Sequence, residues 1–440
     1  MNRTYIDSGN PIIGNIPKGW QLMRLKDVGY LYSGLTGKAG DDFDVNEDKD
    51  NFAFFIPFTN IFNNTYISPD VLGKVKVSED EKQNEVHKGD LLFLMSSEDY
   101  DGIGKPAVID FELTNLYLNS FCKGFRITAD INSKFLNYLM SSHVERELVR
   151  LEAKGFTRIN LRQDKLACCD IIVPSRLEQD RIADFLDEKC GEIDSLIGLQ
   201  EYMIEKLKAY KQSVITEAVT KGLNPKTKLV PSGIDWIGEI PEGWKIFALK
   251  WLMELYAGAT PKSDNLSLWD GDIPWITPAD YKTEDIYVCG GRRNISQKGF
   301  ESCATTILPK GSIIFSKRAP IGLVAINSQP LCTNQGCIGC IVNQKRALTK
   351  FYYYTLSIFK EQFELFGSGT TFKEISATKF ADFNVPVPPL SEQYAIASYL
   401  DSKCADIDHL ISMKQQKIEK LKDYKKSVIY EAVTGKTIIE

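Results

Sequence analysis

The stretch EQDRIADFLDEKCGEIDSLIGLQEYMIEKLKAYKQSVITEAVTK, residues 178–221, recurs as EQYAIASYLDSKCADIDHLISMKQQKIEKLKDYKKSVIYEAVTG, residues 392–435. The second copy lies 214 residues after the first without a gap, and 26 of the 44 positions are identical. A proline-bearing, strand-like segment precedes each copy, at 171–174 and 385–388. A long segment repeated after two dissimilar blocks indicates a tandem duplication and predicts a pseudo-twofold organisation.

Both copies carry apolar residues at spacings of three, four or seven, which is typical of a coiled-coil seam. The predicted seam residues are Cys190, Ile193, Ile197, Ile204, Leu207, Val214 and Ala218, repeated as Cys404, Ile407, Ile411, Ile418, Leu421, Val428 and Ala432. Polar residues interrupt the seam at Gln200 and Lys414, and at Lys211 and Lys425. About 40 helical residues form a rod of roughly 60 Å. Its nearest partner is the other copy, so we expect an antiparallel two-helix coiled coil with the two blocks at opposite ends.

The alternative is that these helices belong to the core of one compact domain. A helix of about 40 residues is far longer than the typical helix of a globular domain. The sequence therefore favours the coiled coil.

A second repeat opens each half of the chain. Residues 8–34 match residues 232–258 at 13 of 27 positions, with an offset of 224. This order predicts five segments: a first globular domain at 1–176, a long helix at 177–221, a linker at 222–236, a second globular domain at 237–389, and a second long helix at 390–440.

The two blocks between the repeats contain short strand-like runs followed by one amphipathic segment each. Strand-like runs occur at 52–58, 71–77, 90–95 and 107–111 in the first block, and at 312–315, 322–326 and 339–342 in the second. Helices are predicted at 133–152 and at about 350–366. The expected fold class is α+β: two mixed α/β domains separated by the coiled coil.

Composition restricts the class of protein. A chain of 440 residues with 43% hydrophobic and 25% charged residues is expected to fold into two or three soluble domains. No apolar run is long enough for a membrane span and the first residues lack an apolar signal region, so we expect a cytoplasmic protein with no membrane partner. Ten cysteines are few for a disulfide scaffold of this size.

The net charge of the chain is not typical of a protein that binds nucleic acids or other polyanions without sequence preference. The net charge of the chain is −5. Residues 14–176 carry 20 basic and 24 acidic side chains, and residues 239–388 carry 16 and 14. Any nucleic-acid binding must therefore come from local patches or be shared with a more basic partner.

Motifs of the common catalytic classes are absent from the sequence. The three histidines, His87, His143 and His409, form no ligand-spaced cluster, and neither a phosphate-binding GxxxxGK[ST] loop nor a GxSxG elbow occurs. Residues 387–390 read VPPL, which lacks the polar first residue and aromatic last residue of the amino-methyltransferase loop. We therefore expect no catalytic, cofactor-binding or metal-binding residues in this chain.

Three cysteines in the second block raise the alternative of an iron–sulfur site. Cys332, Cys337 and Cys340 have the spacing of plant-type iron–sulfur ligands. Cys337 and Cys340 fall in a strand-like segment, where an odd separation places them on opposite faces. This argues for buried apolar roles instead of cluster ligation.

Taken together, the repeats resemble the specificity subunit of type I restriction–modification systems, over essentially the whole chain. The resemblance rests on the tandem architecture and on these segments: SGIDWIGEIPEGW and its twin, the EQ-initiated helix repeats, GATPKS, GDIPWITPAD, APIGLVAIN, TNQG and FGSGTTF. The first block departs from the commoner pattern, with FIPFTNIFNN at 55–64 and LLFLMSSEDYDGIGKPAVI at 91–109.

The resemblance implies a function. In this family, two domains each read one half of a split double-stranded DNA target. The helical repeats dock two modification subunits, which are adenine methyltransferases, and restriction subunits join that core. S-adenosylmethionine, ATP and Mg are then expected in the partner subunits and not in this chain.

Base readout requires polar or basic side chains presented on loops. The predicted DNA-contacting residues of the first block are Thr36, Lys38, Thr59, Asn60, Ser96, Ser97, Lys105, Thr157 and Arg158. Those of the second block are Thr260, Lys262, Ser263, Thr277, Lys317, Arg318, Asn334, Gln335, Ser368 and Thr370. Each has a structural alternative: Asn334 and Gln335 can cap a turn, and Lys317 and Arg318 can pair with local acids.

Two other functional hypotheses remain at this point. The chain can be a scaffold or silent spare copy that binds methyltransferase subunits without reading DNA. It can also be a single-chain DNA methyltransferase or nuclease, which the missing cofactor loop and metal ligands disfavour.

Overall fold

The computed structural model describes residues 3–46, 51–78, 80–155, 157–283, 285–367 and 373–439. The chain forms two compact units, one comprising Met1–Glu201 with Gln416–Glu440 and the other Tyr202–Gln415. Each unit contains one mixed α/β block together with part of both long helices. The predicted α+β class is confirmed.

The first block is built from short strands and short helices. Its strands are β1 (Tyr5–Asp7), β2 (Asn15–Pro17), β3 (Gln21–Arg24), β4 (Gly29–Ser33), β5 (Phe52–Ile56), β6 (Gly73–Lys76), β7 (Leu91–Leu94), β8 (Ser96–Ser97), β9 (Pro106–Val108), β10 (Leu116–Leu118), β11 (Cys122–Ile127), β12 (Ile159–Asn160) and β13 (Asp170–Val173). Its helices are α1 (Leu25–Val28), α2 (Phe58–Asn63), α3 (Ser133–Ser141), α4 (His143–Glu152) and α5 (Gln163–Ala167). The first long helix, α6 (Arg176–Lys221), follows.

The second block has a similar order of elements. Its strands are β14 (Leu229–Pro231), β15 (Glu239–Pro241), β16 (Lys245–Ala248), β17 (Met253–Ala257), β18 (Trp269–Ile276), β19 (Tyr287–Val288), β20 (Asn294–Ile295), β21 (Ile313–Ser316), β22 (Val324–Asn327), β23 (Cys332–Thr333), β24 (Cys337–Val342) and β25 (Asn384–Val387). Its helices are α7 (Gln297–Glu301), α8 (Thr349–Ile358), α9 (Lys360–Phe366), α10 (Ala377–Ala381) and the long α11 (Leu390–Val433). Short 3-10 turns lie at Gly40–Asp42, Leu249–Trp251, Leu266–Leu268 and Pro278–Asp280.

The central sheets of the two units share one topology. Strand order is β4-β11-β7-β9 in the first unit and β17-β24-β21-β22-β19 in the second. The first three pairings of each sheet are antiparallel. A smaller sheet in each unit contains one parallel pair, β5 with β10 and β18 with β23. The shared strand order shows that the two blocks are diverged copies of one fold.

The predicted seam of the long helices is confirmed. Its residues are buried or half-buried in both copies, with Cys190 4%, Ile204 7%, Cys404 2% and Ile418 6% exposed. In the first unit, Lys425 Nζ donates to Asp194 at 2.7 Å. In the second, Lys211 Nζ donates to Asp408 at 2.7 Å.

The helix segments run antiparallel within each unit. In the second unit, Lys414 contacts Met203 and Lys211 contacts Asp408. Residue numbers therefore increase along one helix in the direction in which they decrease along the other. Lys211 and Lys425, predicted to interrupt the seam, each form an inter-helix ion pair, which is consistent with a role in register.

A glycine follows the end of each long helix, at a position where any side chain would be unfavourable. Gly222 and Gly435 have φ values of +74° and +67°, in the left-handed region that glycine adopts without strain. A Cβ on Gly222 would lie 3.2 Å from the Trp244 ring, and one on Gly435 would lie 2.9 Å from the Trp20 ring. The end of each helix is thus fixed against the opening repeat within the same unit.

Two helix predictions were wrong in detail. The segment predicted as one helix at 133–152 is broken at Ser142, whose extended backbone (φ −66°, ψ 154°) ends α3 and begins α4. Beyond this break, Leu151 near the end of α4 is 68% exposed. The segment at about 350–366 is likewise interrupted, at Phe359.

No helix in these described ranges is both long and apolar enough to cross a bilayer.

Candidate nucleic-acid interface

A polar turn at Asn334–Gly336 forms the centre of the candidate site in the second unit. The turn follows β23 and precedes β24. The Asn334 side-chain oxygen accepts a hydrogen bond from the backbone N–H of Gly336 at 2.9 Å. The Asn334 backbone N–H donates to the carbonyl of Ile276 at 3.0 Å, at the end of the parallel pair β18–β23. Asn334 therefore caps the turn, as its structural alternative proposed.

The loop after β17 approaches this turn closely. A Cβ on Gly258 would lie 2.1 Å from the Asn334 carbonyl oxygen, so only glycine allows the two backbones to meet here. The approach places Thr260 so that its hydroxyl donates to the Gln335 side chain. Both side chains are exposed. Lys262 and Ser263 follow in the same loop and are also exposed.

Two further segments meet the same turn. The backbone N–H of Lys317 donates to the Gly336 carbonyl at 2.9 Å, which places Arg318 beside it. Thr277 caps the short turn Pro278–Asp280 and donates its hydroxyl to Asp280 at 2.7 Å. A Cβ on Gly336 would lie 3.1 Å from Pro278, so this capped turn also touches the site.

Six predicted residues of the second block thus gather at one surface. They are Thr260, Thr277, Lys317, Arg318, Asn334 and Gln335. Ser368 and Thr370 lie outside the described residues.

The two basic residues of this surface share an acid. Lys317 Nζ lies 2.8 Å and Arg318 Nε 2.7 Å from the carboxylate of Glu374. Burial opposes ionisation of Glu374, but the hydrogen bonds from both cations outweigh it and lower the pKa of the carboxyl group. The local pairing considered from the sequence is therefore present.

The first unit builds the corresponding turn at 119–121. The Asn119 side-chain oxygen accepts from the Phe121 N–H at 2.9 Å, and the Asn119 N–H donates to Ile56 at 3.1 Å. A Cβ on Gly34 would lie 2.2 Å from the Asn119 carbonyl oxygen. Met95 N–H donates to the Phe121 carbonyl at 3.3 Å. These contacts reproduce those of the 334–336 turn one by one.

Four predicted residues of the first block present exposed side chains: Thr36, Thr59, Thr157 and Arg158. The guanidinium carbon of Arg158 lies 4.6 Å from the centre of the Phe121 ring. Phe121 itself is 51% exposed. Lys38 is held by an ion pair with Glu81 at 2.6 Å, and its side chain is only 7% exposed.

The remaining four predicted residues of the first block have structural roles. Asn60 is fully buried, and its amide group donates to the carbonyls of Ser68 and Val71 at 2.9 and 2.8 Å. Ser96 and Ser97 are 7% and 6% exposed because they form β8, which pairs with β12. Burial argues against direct base contact by these three residues.

Lys105 is the fourth of these residues. Its ammonium group donates to the backbone carbonyl of Phe62. Burial, followed by the charges of Arg146 and Lys425, lowers the pKa of Lys105. This side chain is therefore less available to DNA than its sequence context indicated.

Phe121 and Glu374 were not predicted from the sequence. Phe121 stands in NSFC, where the second block has NQGC, so matching the two turns gives a signal for it. Glu374 lies 56 residues after Arg318, and no sequence pattern connects them.

Each block is joined to its long helix by equivalent contacts. Asp187 accepts hydrogen bonds from Tyr138 and Lys134, both at 2.8 Å, and from Tyr66. Asp401 accepts from Tyr354 at 2.7 Å and from Lys350 at 2.6 Å. Burial raises the pKa of Tyr138 and Tyr354 far above the ordinary tyrosine range, so both phenols stay protonated donors.

A tryptophan–glutamate pair completes each joint. Trp20 Nε1 donates to Glu178 and Trp244 Nε1 donates to Glu392, both at 3.0 Å. In each unit, these contacts attach the block firmly to the long helix that follows it.

The long helices also expose apolar residues at matched positions. The first unit exposes Leu196 (43%), Leu199 (46%) and Tyr424 (58%). The second exposes Leu410 (45%), Met413 (53%) and Tyr210 (51%), which are the same positions of the 214-residue repeat. Large exposed apolar side chains that recur in both copies indicate a contact surface.

The three cysteines with iron–sulfur spacing lie in three different core clusters. Cys332 packs with Trp269 and Trp275, Cys337 with Ile276 and Tyr281, and Cys340 in the main core of the second unit. Burial raises the pKa of Cys332 to about 11 and that of Cys337 to about 12, which disfavours the thiolate that a metal needs. Within the described ranges, no three His, Cys, Asp or Glu side chains are grouped to hold a metal ion.

Comparison with known proteins gives a consistent picture. The chain matches the family model of the type I restriction modification DNA specificity domain twice, at residues 17–208 and 241–422. The putative type I restriction enzyme MjaX specificity subunit of Methanocaldococcus jannaschii is 28% identical over 435 residues, which cover 96% of this chain and 95% of that protein. The type I restriction enzyme EcoKI specificity subunit of Escherichia coli K12 is 27% identical over 215 residues, covering 48% and 45%.

Solved structures show the same fold. A chain from a study of complex assembly and conformational transition in the type I R-M system superimposes with a TM-score of 0.73 at 16% identity, covering 96% of this chain and 99% of that one. The HsdS subunit of Thermoanaerobacter tengcongensis gives a TM-score of 0.53 at 17% identity, covering 96% and 98%. Because the family model matches most of the chain in two tandem copies, this protein belongs to the family of type I restriction modification DNA specificity domains.

Proposed function

We propose that the chain is the non-catalytic, sequence-reading subunit of a type I restriction–modification complex, and that each unit reads one half of a split DNA target. One observation carries the proposal: the two units repeat the same turn and helix joint but present different side chains. The 334–336 turn offers Thr260, Gln335 and Arg318, whereas the 119–121 turn offers Thr36, Arg158 and Phe121.

The chemistry of these side chains suits DNA. Arginine and lysine contact phosphates or guanine edges, glutamine and threonine can bond to base edges, and an exposed aromatic ring can stack on a base. Each set contains one threonine and one arginine, but the third side chain is the polar Gln335 in one unit and the aromatic Phe121 in the other. The two units are therefore expected to select different bases.

We propose that the exposed apolar trios on the helices bind the modification subunits. The first trio is Leu196, Leu199 and Tyr424, and the second is Leu410, Met413 and Tyr210. Two matching surfaces fit two identical partners, and this explains identities at helix positions that the seam does not constrain. Restriction subunits join that assembly, and S-adenosylmethionine, ATP and Mg act in the partner subunits.

Two readers on one scaffold also account for the long helices. Proteins with paired readers contact half-sites about one DNA turn of roughly 34 Å, or more, apart. We propose that the helices fix the unread spacer between the two half-sites.

The test is methylation mapping in cells that express the chain with a modification subunit. The proposal expects methylated adenine in a bipartite motif, absent when the chain is omitted. Stable co-purification of both subunits without any sequence-dependent methylation would instead identify a scaffold or silent copy. Methylation by the chain alone would identify an enzyme.

A further inference from the structure

Glu374 occupies the position between the two basic side chains of the second reading surface. Its two carboxylate oxygens lie 2.8 Å from Lys317 Nζ and 2.7 Å from Arg318 Nε. One negative charge is thus shared by two cations that were predicted from the sequence to contact DNA. In the free protein, these cations already have an anionic partner.

The backbone fixes this arrangement. Arg318 and Glu374 face each other across an antiparallel bridge, and the Ile375 N–H donates to the Lys317 carbonyl at 3.0 Å. The carboxylate is therefore held opposite the basic pair by strand pairing, in addition to the ion pairs themselves. Its side chain is 32% exposed and that of Arg318 is 46% exposed, so DNA can approach both.

The first unit provides an internal comparison. There the Leu161 N–H donates to the Met95 carbonyl at 3.0 Å, and Ser96 pairs with Asn160 across the strands. These contacts place Met95 and Ser96 where the second unit has Lys317 and Arg318, and Asn160 where it has Glu374. The acid is present in the unit that has the basic pair and absent from the unit that lacks it.

Contacts with DNA phosphates do not depend on the base sequence, and they supply most of the affinity of a protein for non-cognate DNA. A carboxylate that must be displaced before Lys317 and Arg318 reach the backbone weakens that general affinity. On a cognate site, the displaced Glu374 carboxylate can accept a hydrogen bond from a base edge, such as the amino group of cytosine, which regains the cost of displacement; a non-cognate sequence lacks that donor. The carboxylate therefore weakens binding to wrong sequences more than binding to the right one.

We propose that Glu374 is a specificity-determining positioning residue: it holds Lys317 and Arg318 away from non-cognate DNA and releases them to the cognate half-site. The inference rests on the proposed function of the second unit as a DNA reader. It adds that the Glu374 carboxylate competes with DNA phosphates for Lys317 and Arg318, which the DNA-reading role alone does not require.

The experiment uses the full chain in complex with its modification subunits. Binding to a random-sequence duplex is measured by fluorescence anisotropy at several salt concentrations. For Glu374→Gln, the expected result is an affinity about 3–10-fold higher and a log–log salt slope steeper by about one, since one more phosphate contact forms without competition. Glu361→Gln, an exposed acid on α9, is the matched control and is expected to change neither quantity.

Glu374→Asp keeps the charge and is expected to restore most of the discrimination against random DNA. Unchanged affinity and slope in Glu374→Gln would overturn the inference. So would the same gain in the triple variant Lys317→Met/Arg318→Ala/Glu374→Gln, because the effect would then not pass through the basic pair.

A second variant, Arg318→Ala, tests the inference independently in case Glu374→Gln does not fold. In Arg318→Ala, Glu374 remains, so affinity for random DNA is expected to change less than about twofold while affinity for the mapped target falls more than about fivefold. Equal losses on both duplexes would contradict the inference. If methylation mapping finds no bipartite motif at all, the proposed function itself fails, which is a separate outcome.

Discussion

Arg158 and Phe121 are two exposed side chains of the first unit that we propose contact DNA. The guanidinium carbon lies 4.6 Å from the centre of the ring, within the range of a cation–π contact. A contact with an aromatic ring does not have to be exchanged for a phosphate in the way that an ion pair with a carboxylate does. Arg158 therefore contrasts with Arg318, which is paired with Glu374.

Arg158→Ala is expected to weaken binding of the assembled enzyme to its mapped target by about 1–3 kcal/mol, or roughly 5–150-fold. The reason is the loss of one direct contact to a base or phosphate. Anisotropy titration with the target duplex measures it. Arg162→Ala is the control, because Arg162 is exposed, lies four residues away and is paired with Asp164. Equal losses in both variants would remove Arg158 from the reading surface.

Glu145 illustrates a residue that affects stability and not recognition. It is 1% exposed on α4, and its Oε2 atom has no hydrogen-bond partner among the residues that the structure describes. Burial, followed by the charge of Asp170, raises the pKa of this carboxyl group from 4.5 to about 8. The folded protein therefore holds the proton more tightly than the unfolded chain does.

The sign of the pH effect follows from this difference. The contribution of Glu145 is favourable at low pH and is lost as pH rises from about 4.5 through 8, because ionisation must then occur in a buried site. Glu145→Gln is expected to match the wild type in thermal midpoint at pH 5. At pH 8 it is expected to be more stable by about 1–3 kcal/mol. Glu98→Gln, at an exposed position, is expected to show no such difference. The same offset at both pH values would contradict the assignment.

At the scale of elements, the long helices combine a buried seam with an exposed apolar surface. The seam residues are covered within each unit, whereas Leu196 and Leu410 are 43% and 45% exposed. Folding of the helix pair does not require these two leucines to be apolar. Their recurrence at the same repeat position therefore supports a partner contact.

The double variant Leu196→Glu/Leu410→Glu is expected to abolish co-purification of the modification subunits. Burying one of the new carboxylates at each interface is unfavourable by several kcal/mol. The thermal midpoint of the chain alone is expected to change little. Gln212→Glu, an exposed polar position on the same helix, is the control for added charge. Undiminished assembly of the double variant would place the partner surface elsewhere.

At the scale of the whole chain, duplication made much of the fold predictable. A repeat of 44 residues fixes the long helices, and the spacing of residues such as Cys190 and Ile204 indicates which side is buried. The candidate site was predicted only in part. Turn residues such as Gln335 follow strands and are recognisable, but the burial of Asn60 depends on carbonyls of Ser68 and Val71 that sequence spacing does not reveal.

Long-range pairing and local backbone breaks account for the rest. Glu374 reaches Arg318 across 56 residues through strand pairing, and Ser142 divides a segment whose apolar pattern is continuous enough to predict one helix. Both depend on tertiary contacts that override local preference.

Methylation mapping of a chimera tests the central claim most directly. Residues 237–389 are replaced by the matching block of a related specificity subunit, and the chimera is expressed with the same modification subunit. The account predicts that one half of the bipartite methylated motif changes while the other half stays the same. An unchanged motif, or a change in both halves, would contradict the assignment of one half-site to each unit.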